Sequence, residues 1–162
     1  MSNNQNLSTS NSTTTVPLFS KILVAIDGSE DSFKAAKYAL ELAKLSGASL
    51  FAITVTSIPE SYHLTEKDVL NESTKSHHSM EDAKTWFDNF NQQAKEKNVP
   101  LSTELINSQR PVDYVILEYS EENKIDLIVM GTKGRTGFKK LLLGSTASSV
   151  LTYSHCTVMV VK

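Results

Sequence analysis

Five short apolar runs alternate along the chain with four stretches in which apolar residues recur every three or four positions. The first run, Lys21-Ile22-Leu23-Val24-Ala25-Ile26, is rich in β-branched residues and stops at Asp27-Gly28-Ser29, the pattern of a buried strand entering a turn. Ser29 is placed to cap a helix opened by Glu30 and Asp31. Its apolar stripe is Ala36, Ala39, Leu40 and Ala43, and its stop is Gly47. Leu50 to Val55 reads as a second strand. Met80, Ala83, Trp86, Phe87, Phe90 and Ala94 mark a second helix, and Leu101 to Ile106 alternates as a third strand. Val112, Val115, Ile116 and Tyr119 give a third helix, with Pro111 in its first turn. Leu127-Ile128-Val129-Met130 ends at Gly131 as a fourth strand. A helix starting near Ser145 then leads to the fifth, Thr157-Val158-Met159-Val160-Val161.

Strictly alternating strands and helices, with strands apolar on both faces, predict an α/β fold: an open five-stranded parallel sheet with helices on both sides and right-handed crossovers. Residues 58–78 are polar and carry no period, so a long surface connection with at most a short helix is expected there. Residues 1–18 are dominated by Ser, Thr and Asn and carry no charged side chain and no signal-like apolar stretch. They are expected to form a disordered tail, with 19–162 as a single domain.

A length of 162 residues, 40% hydrophobic and 21% charged, suits one folded domain. Sixteen Lys and Arg against eighteen Asp and Glu leave a net charge of −2, which excludes a generally basic nucleic-acid binder. No apolar run approaches the length of a membrane span. The one cysteine, Cys156, excludes an internal disulfide and fits a reducing, cytoplasmic setting. The distribution of charge says more than its sum. Every acidic residue lies at or before Asp126, whereas the segment from Leu127 onward has Lys133, Arg135, Lys139, Lys140 and Lys162 and no acidic side chain. That asymmetry points to an anion.

Open parallel sheets bind ligands beyond the carboxyl ends of their strands, where the strand order reverses. Two strand ends carry suitable residues: Asp27-Gly28-Ser29 after the first, and Met130-Gly131-Thr132-Lys133-Gly134 after the fourth, continuing to Gly144-Ser145-Thr146 at a helix start. Glycines let backbone amides converge on an anion, and Ser145 and Thr146 add hydroxyls, unpaired helix amides and the positive end of a helix dipole. This cradle for phosphate lies in the middle of the acid-free segment.

The spacing Gly131-x2-Gly134-x9-Gly144-Ser145, the run Asp126-Leu-Ile-Val-Met-Gly-Thr-Lys-Gly-Arg-Thr-Gly with its Leu141-Leu-Leu-Gly-Ser sequel, and the opening Lys21-Ile-Leu-Val-Ala-Ile-Asp-Gly-Ser resemble the universal stress protein family in its ATP-binding branch. The resemblance covers roughly Phe19 to Lys162 and implies the strand order 3-2-1-4-5. It also implies that Ala25 and Asp27 border an adenine, Asp27 accepting or orienting a hydrogen bond of the base, with Val55 as apolar wall. Met130 and Gly131 would lie by the ribose, and Gly134, Gly144, Ser145 and Thr146 would hold the phosphates. The ligand implied is ATP, or AMP or ADP, with Mg2+ carried on the phosphates. Three positions depart from the family pattern: Ala25 and Thr157 stand where proline is common, and Gln109-Arg110-Pro111 lacks a glycine before its proline. The fifth strand, lying at the sheet edge, is expected to pair antiparallel with its copy in a two-fold homodimer.

Simpler roles compete at several residues. Asp-Gly-Ser is most often a capped turn, Trp86 reads as a core anchor, and Cys156 as a buried small apolar residue. His77-His78, His63 and His155 lack metal-ligand spacing and read as solvated. No Gly-x-Ser-x-Gly elbow, no P-loop and no evident general base are present. The implied function is therefore a nucleotide-dependent regulatory protein of the stress response with at most slow ATP hydrolysis. A nucleotide-independent homodimeric scaffold, and a true hydrolase or nucleotidyl transferase, stay open as alternatives.

Overall fold

Each of the five apolar runs forms a strand of one sheet. The computed structural model describes residues 17–57, 66–134 and 143–162, with side chains over 17–56, 81–134 and 143–162. In chain order the elements are β1 (Lys21–Ala25), α1 (Glu30–Ser46), β2 (Ser49–Ser57), α2 (Glu66–Glu96), β3 (Leu101–Ser108), α3 (Val112–Glu122), β4 (Leu127–Gly131), α4 (Ser145–Tyr153) and β5 (Thr157–Val161). The sheet runs β3-β2-β1-β4-β5, every neighbouring pair parallel. The expected order is thus observed, and the switch point falls between β1 and β4.

Strand residues divide by parity between two cores. Ile22, Val24, Leu50, Ala52, Leu127 and Val129 pack under α1 and α2, against Ala35, Ala39, Leu40, Phe87 and Phe90 among others. Leu23, Ile53, Ile128 and Met130 face the other way, onto Ile116 of α3 and Ala147 and Val150 of α4. Because both faces are covered, β1 and β4 read in the sequence as continuous rather than alternating apolar runs.

The local signals place the ends of α1 correctly. Ser29 is its N-cap and accepts a hydrogen bond from the Ser32 amide. Gly47 closes it in the left-handed conformation at φ 69°, its amide bonded to the Ala43 carbonyl. Pro111 sits one residue outside its expected place, at the N-cap of α3 rather than in its first turn.

One expectation fails. Residues 58–78 are not chiefly a connection: α2 begins at Glu66 and runs for 31 residues. The apolar stripe from Met80 to Ala94 nucleates the helix. Extension then adds one hydrogen bond per residue fixed, with no need for a stripe of its own, so helix continues where periodicity is silent. The side chains of His77 and His78 lie outside the described residues, as do His63, most of the expected tail, and Arg135, Lys139 and Lys140.

At the amino end of the sheet, opposite the switch point, Asp126 clamps β1 to β4. Its carboxylate accepts from the amides of Ser20 (2.8 Å) and Lys21 (3.1 Å), while its own amide donates to the Lys21 carbonyl. Among the described residues, no helix is long and apolar enough to cross a membrane.

Candidate functional site

The carboxyl ends of β1 and β4 lead into two loops that touch each other. After Ala25, the Ile26 amide still bonds to the Ile53 carbonyl of β2, and the chain then turns. Asp27 Oδ1 accepts from the Ser29 amide (3.0 Å) and from the Ser29 hydroxyl (2.6 Å), an Asx-type turn that makes Gly28 adopt φ 83°. Trp86 of α2 packs over this glycine so closely that an added Cβ would lie 2.3 Å from its ring, and the indole meets Phe33 edge-on at 5.6 Å. Trp86 is therefore half-buried and holds the turn from outside, as well as packing on the core.

The β4 loop meets that turn at two points. The Ser29 hydroxyl lies 3.2 Å from the Lys133 carbonyl, and Asp27 Oδ2 lies 2.7 Å from where a Cβ on Gly134 would be. Glycine at 134 thus makes room for the Asp27 carboxylate. Glycine at 131 answers a different need. A Cβ there would meet the first turn of α1, 2.7 Å from the carbonyl carbon of Asp31 and 2.9 Å from the Ser32 nitrogen. Although the resemblance places Gly131 beside a ribose, the space a side chain at 131 would take belongs to α1.

Gly144 closes the loop. Its amide donates to the Thr132 carbonyl at 2.7 Å, and its Cα approaches that oxygen closely enough to leave an added Cβ at 3.2 Å. As the N-cap of α4 it offers no side chain to the helix. The first bond within the helix runs from Ser148 to the Gly144 carbonyl, so Ser145, Thr146 and Ala147 stand before it. Ser145 is exposed and Thr146 half-buried. The arrangement has the chemistry that suits an anion: amides at a positive helix end, with no acidic residue in the last 36 positions.

Ala25, Val55 and Met130 share the α3/α4 side of the sheet, with Leu143 and Val160 in the same apolar cluster. Met130 is buried, whereas Ala25 and Val55 are half-buried at the rim. The structure therefore brings Asp27, Gly134 and Gly144 together at the switch point, with Ser145 and Thr146 following at the start of α4. Ala25, Val55 and Met130 form an apolar flank.

Two features here carried no signal in the sequence. Thr132, 5% exposed, donates its hydroxyl to Asp31 Oδ2 at 2.7 Å across 101 residues of chain. The β3–α3 loop, which lacks the glycine expected just before Pro111, is held by Arg110, which makes two bonds to the Glu118 carboxylate and stacks 4.8 Å from the Tyr114 ring. The Glu118 carboxylate holds the Arg110 guanidinium above its usual pKa range, as Glu30 does for Lys34. Cys156 is half-buried rather than buried, beside the Ser154 hydroxyl, and His155 is exposed near Glu121. Among the described residues, no three His, Cys, Asp or Glu cluster as metal ligands would.

The sequence matches the profile of the universal stress protein family over residues 18–162. It is 35% identical over 148 residues to universal stress protein MJ0531 of Methanocaldococcus jannaschii, covering 90% of this chain and 83% of that one. It is 31% identical over 156 residues to universal stress protein YxiE of Bacillus subtilis, covering 90% and 100%. The fold superposes on universal stress protein UspA from Lactobacillus plantarum with a TM-score of 0.77 at 26% identity, over 88% of this chain and 97% of the other. More distant folds include a universal stress protein in complex with cAMP (TM-score 0.65, 24% identity, 89% and 97% covered). Another is a universal stress protein family protein from Arabidopsis thaliana with AMP bound (TM-score 0.61, 16% identity, 88% and 91% covered). The pairing at the switch point, the glycine-closed loop and these matches along almost the whole chain lead to one conclusion: the chain belongs to the universal stress protein family.

Proposed function

We propose that this protein binds ATP, or AMP or ADP, in the crevice between the ends of β1 and β4 and acts as a nucleotide-dependent regulatory protein. The observation that carries this reading is the amino end of α4. It lacks a side-chain cap, it is closed by glycine onto Thr132, and it follows an acid-free segment. The residues fit the ligand: Gly134, Gly144, Ser145 and Thr146 would receive phosphates, and Ala25, Val55 and Met130 would flank the base and ribose with apolar surface. Asp27, held in its turn by Ser29 and packed beside Gly134, would border the base. Mg2+ would travel on the phosphate oxygens. Fold neighbours solved with AMP and cAMP support an adenine nucleotide as the ligand class.

Mass spectrometry of protein purified without added nucleotide, followed by calorimetry with ATP, ADP and AMP, tests the reading. Co-purified or saturably bound adenine nucleotide is expected; an empty protein that binds none of the three overturns it. Asp27→Ala should narrow the preference for ATP over GTP, and an equal loss for both would make Asp27 a turn residue only.

Homodimerisation through β5 belongs to the same proposal. β5 is an edge strand, and α4 beside it exposes Leu151 (51%) and Tyr153 (72%). Such an edge favours pairing with a second copy. It also supports the second reading, a scaffold that needs no nucleotide. Light scattering at micromolar concentration should give a dimer mass, and a monomer would refute both the pairing and the scaffold.

A further inference from the structure

We propose that Thr132 is a positioning residue whose hydrogen bond to Asp31 sets the shape of the phosphate cradle; the proposal rests on the nucleotide reading above. Thr132 stands one residue beyond β4 and bonds to three separate elements. Its amide donates to the Val161 carbonyl of β5 at 2.9 Å, its carbonyl accepts from the Gly144 amide at 2.7 Å, and its hydroxyl donates to Asp31 Oδ2 at 2.7 Å. The first two bonds are made by backbone and would form with almost any side chain. The third depends on a hydroxyl at 132 and an acceptor at 31, and it joins the first turn of α1 to the residue whose carbonyl receives the Gly144 amide at the start of α4.

Burial makes this bond consequential. Thr132 is 5% exposed, so its hydroxyl has little access to water as a substitute partner. The bare Cα of Gly131 lets the first turn of α1 come close enough to place Asp31 there. The Asp31 carboxylate also lies 3.9 Å from Lys34. Without the hydroxyl, Asp31 has less reason to stay against the loop, and the Thr132 carbonyl that receives Gly144 loses its lateral support. Ala25 and Val55, on the opposite side of the sheet from α1, take no part in these bonds. Loss of the bond should therefore act on phosphates more than on the base.

The test uses the full chain and the variants Thr132→Val, which keeps the shape, and Thr132→Ser, which keeps the hydroxyl. Hydrogen exchange at the Gly144 amide is measured without nucleotide, and affinities for AMP and ATP by calorimetry. Thr132→Val should exchange faster at Gly144 and bind ATP about tenfold more weakly, the low end for a charge-assisted bond, with a smaller loss for AMP. Thr132→Ser should restore both. Should Thr132→Val not fold by circular dichroism, Asp31→Asn, which keeps an acceptor without the charge, carries the same prediction at smaller size. Unchanged exchange at Gly144 overturns the proposal whatever binds, and so do equal losses for AMP and ATP. Faster exchange in Thr132→Val, with no nucleotide bound even by the unmodified protein, upholds the positioning role and overturns the nucleotide reading instead.

Discussion

Replacing Gly131 with alanine adds one methyl group at a close approach between β4 and α1. The new Cβ would lie 2.7 Å from the Asp31 carbonyl carbon, 2.8 Å from its Cβ and 2.9 Å from the Ser32 nitrogen. Carbon atoms settle about 3.5–4.0 Å apart, so the first turn of α1 must retreat by about 1 Å. It is not free to do so, because Ser29 caps it and Thr132 bonds to it. The backbone at 131 is outside the left-handed region, so the whole cost is steric. Overpacking of this kind costs about 1–3 kcal/mol, and backbone neighbours place it in the upper half of that range, ~2–3 kcal/mol. At roughly 2–4 °C per kcal/mol, the midpoint of melting should fall by about 4–12 °C. Gly47→Ala is the matched control. Gly47 has φ 69° but nothing within 4 Å of an added Cβ, so it bears only the left-handed penalty of ~1–2 kcal/mol. Urea unfolding followed by circular dichroism, with m unchanged, compares the two. If Gly131→Ala proves as stable as the unmodified protein, or more stable than Gly47→Ala, the packing argument for Gly131 is wrong.

Gly134→Ala should weaken ATP binding by about tenfold or more, because its Cβ displaces the Asp27 carboxylate from the turn it holds with Ser29. Equal affinity by calorimetry would remove Asp27 from the site. Asp126→Ala takes the acceptor from two amides at the far end of the sheet and should cost about 1–3 kcal/mol in urea unfolding with nucleotide affinity unchanged; a selective loss of affinity would contradict that separation. Burial, and then the Glu104 carboxylate, raise the Tyr119 phenol above the ordinary tyrosine range. The folded chain thus keeps this proton when the unfolded chain has lost it, and stability should fall as pH climbs through and above about 10. Tyr119→Phe should remove that part of the alkaline loss, and an unaltered pH profile would show that the phenol does not contribute.

Most of the fold was legible because burial on both faces leaves a local trace. The runs at Ile22–Ile26 and Leu127–Met130 could hardly be anything but central strands, and Ser29 and Gly47 mark the ends of α1 by their own chemistry. The first half of α2 left no such trace, since a helix extended from a packed nucleus needs no apolar period. At the site, the glycine spacing could be read, but not what each glycine answers to. Gly131 yields to α1, Gly134 to Asp27 and Gly144 to a carbonyl, three causes that look identical in one dimension. The Asp27 turn was legible as an Asp-Gly-Ser pattern. The bond from Thr132 to Asp31 was not, because neither residue type is unusual at its position and the pair is brought together only by the sheet.

These contacts change what the glycine signature means. All three of its positions are explained by the chain packing on itself before any ligand is considered: α1 approaches 131, a carboxylate approaches 134, and the loop closes at 144. The signature therefore specifies the shape of a cradle and the exposure of a helix end, and any compact anion would meet the same amides. In the nucleotide reading, selection of an adenine has to come from elsewhere. The residues placed for it are Asp27, fixed through Oδ1 by its own turn, and the half-buried Ala25 and Val55 on the α3/α4 side. The two roles would be joined at one point, where the Asp27 carboxylate fills the space kept open by Gly134. In that reading, a base that displaced Asp27 from its turn would press on Gly134, and occupancy at one end of the site would have a mechanical route to the other.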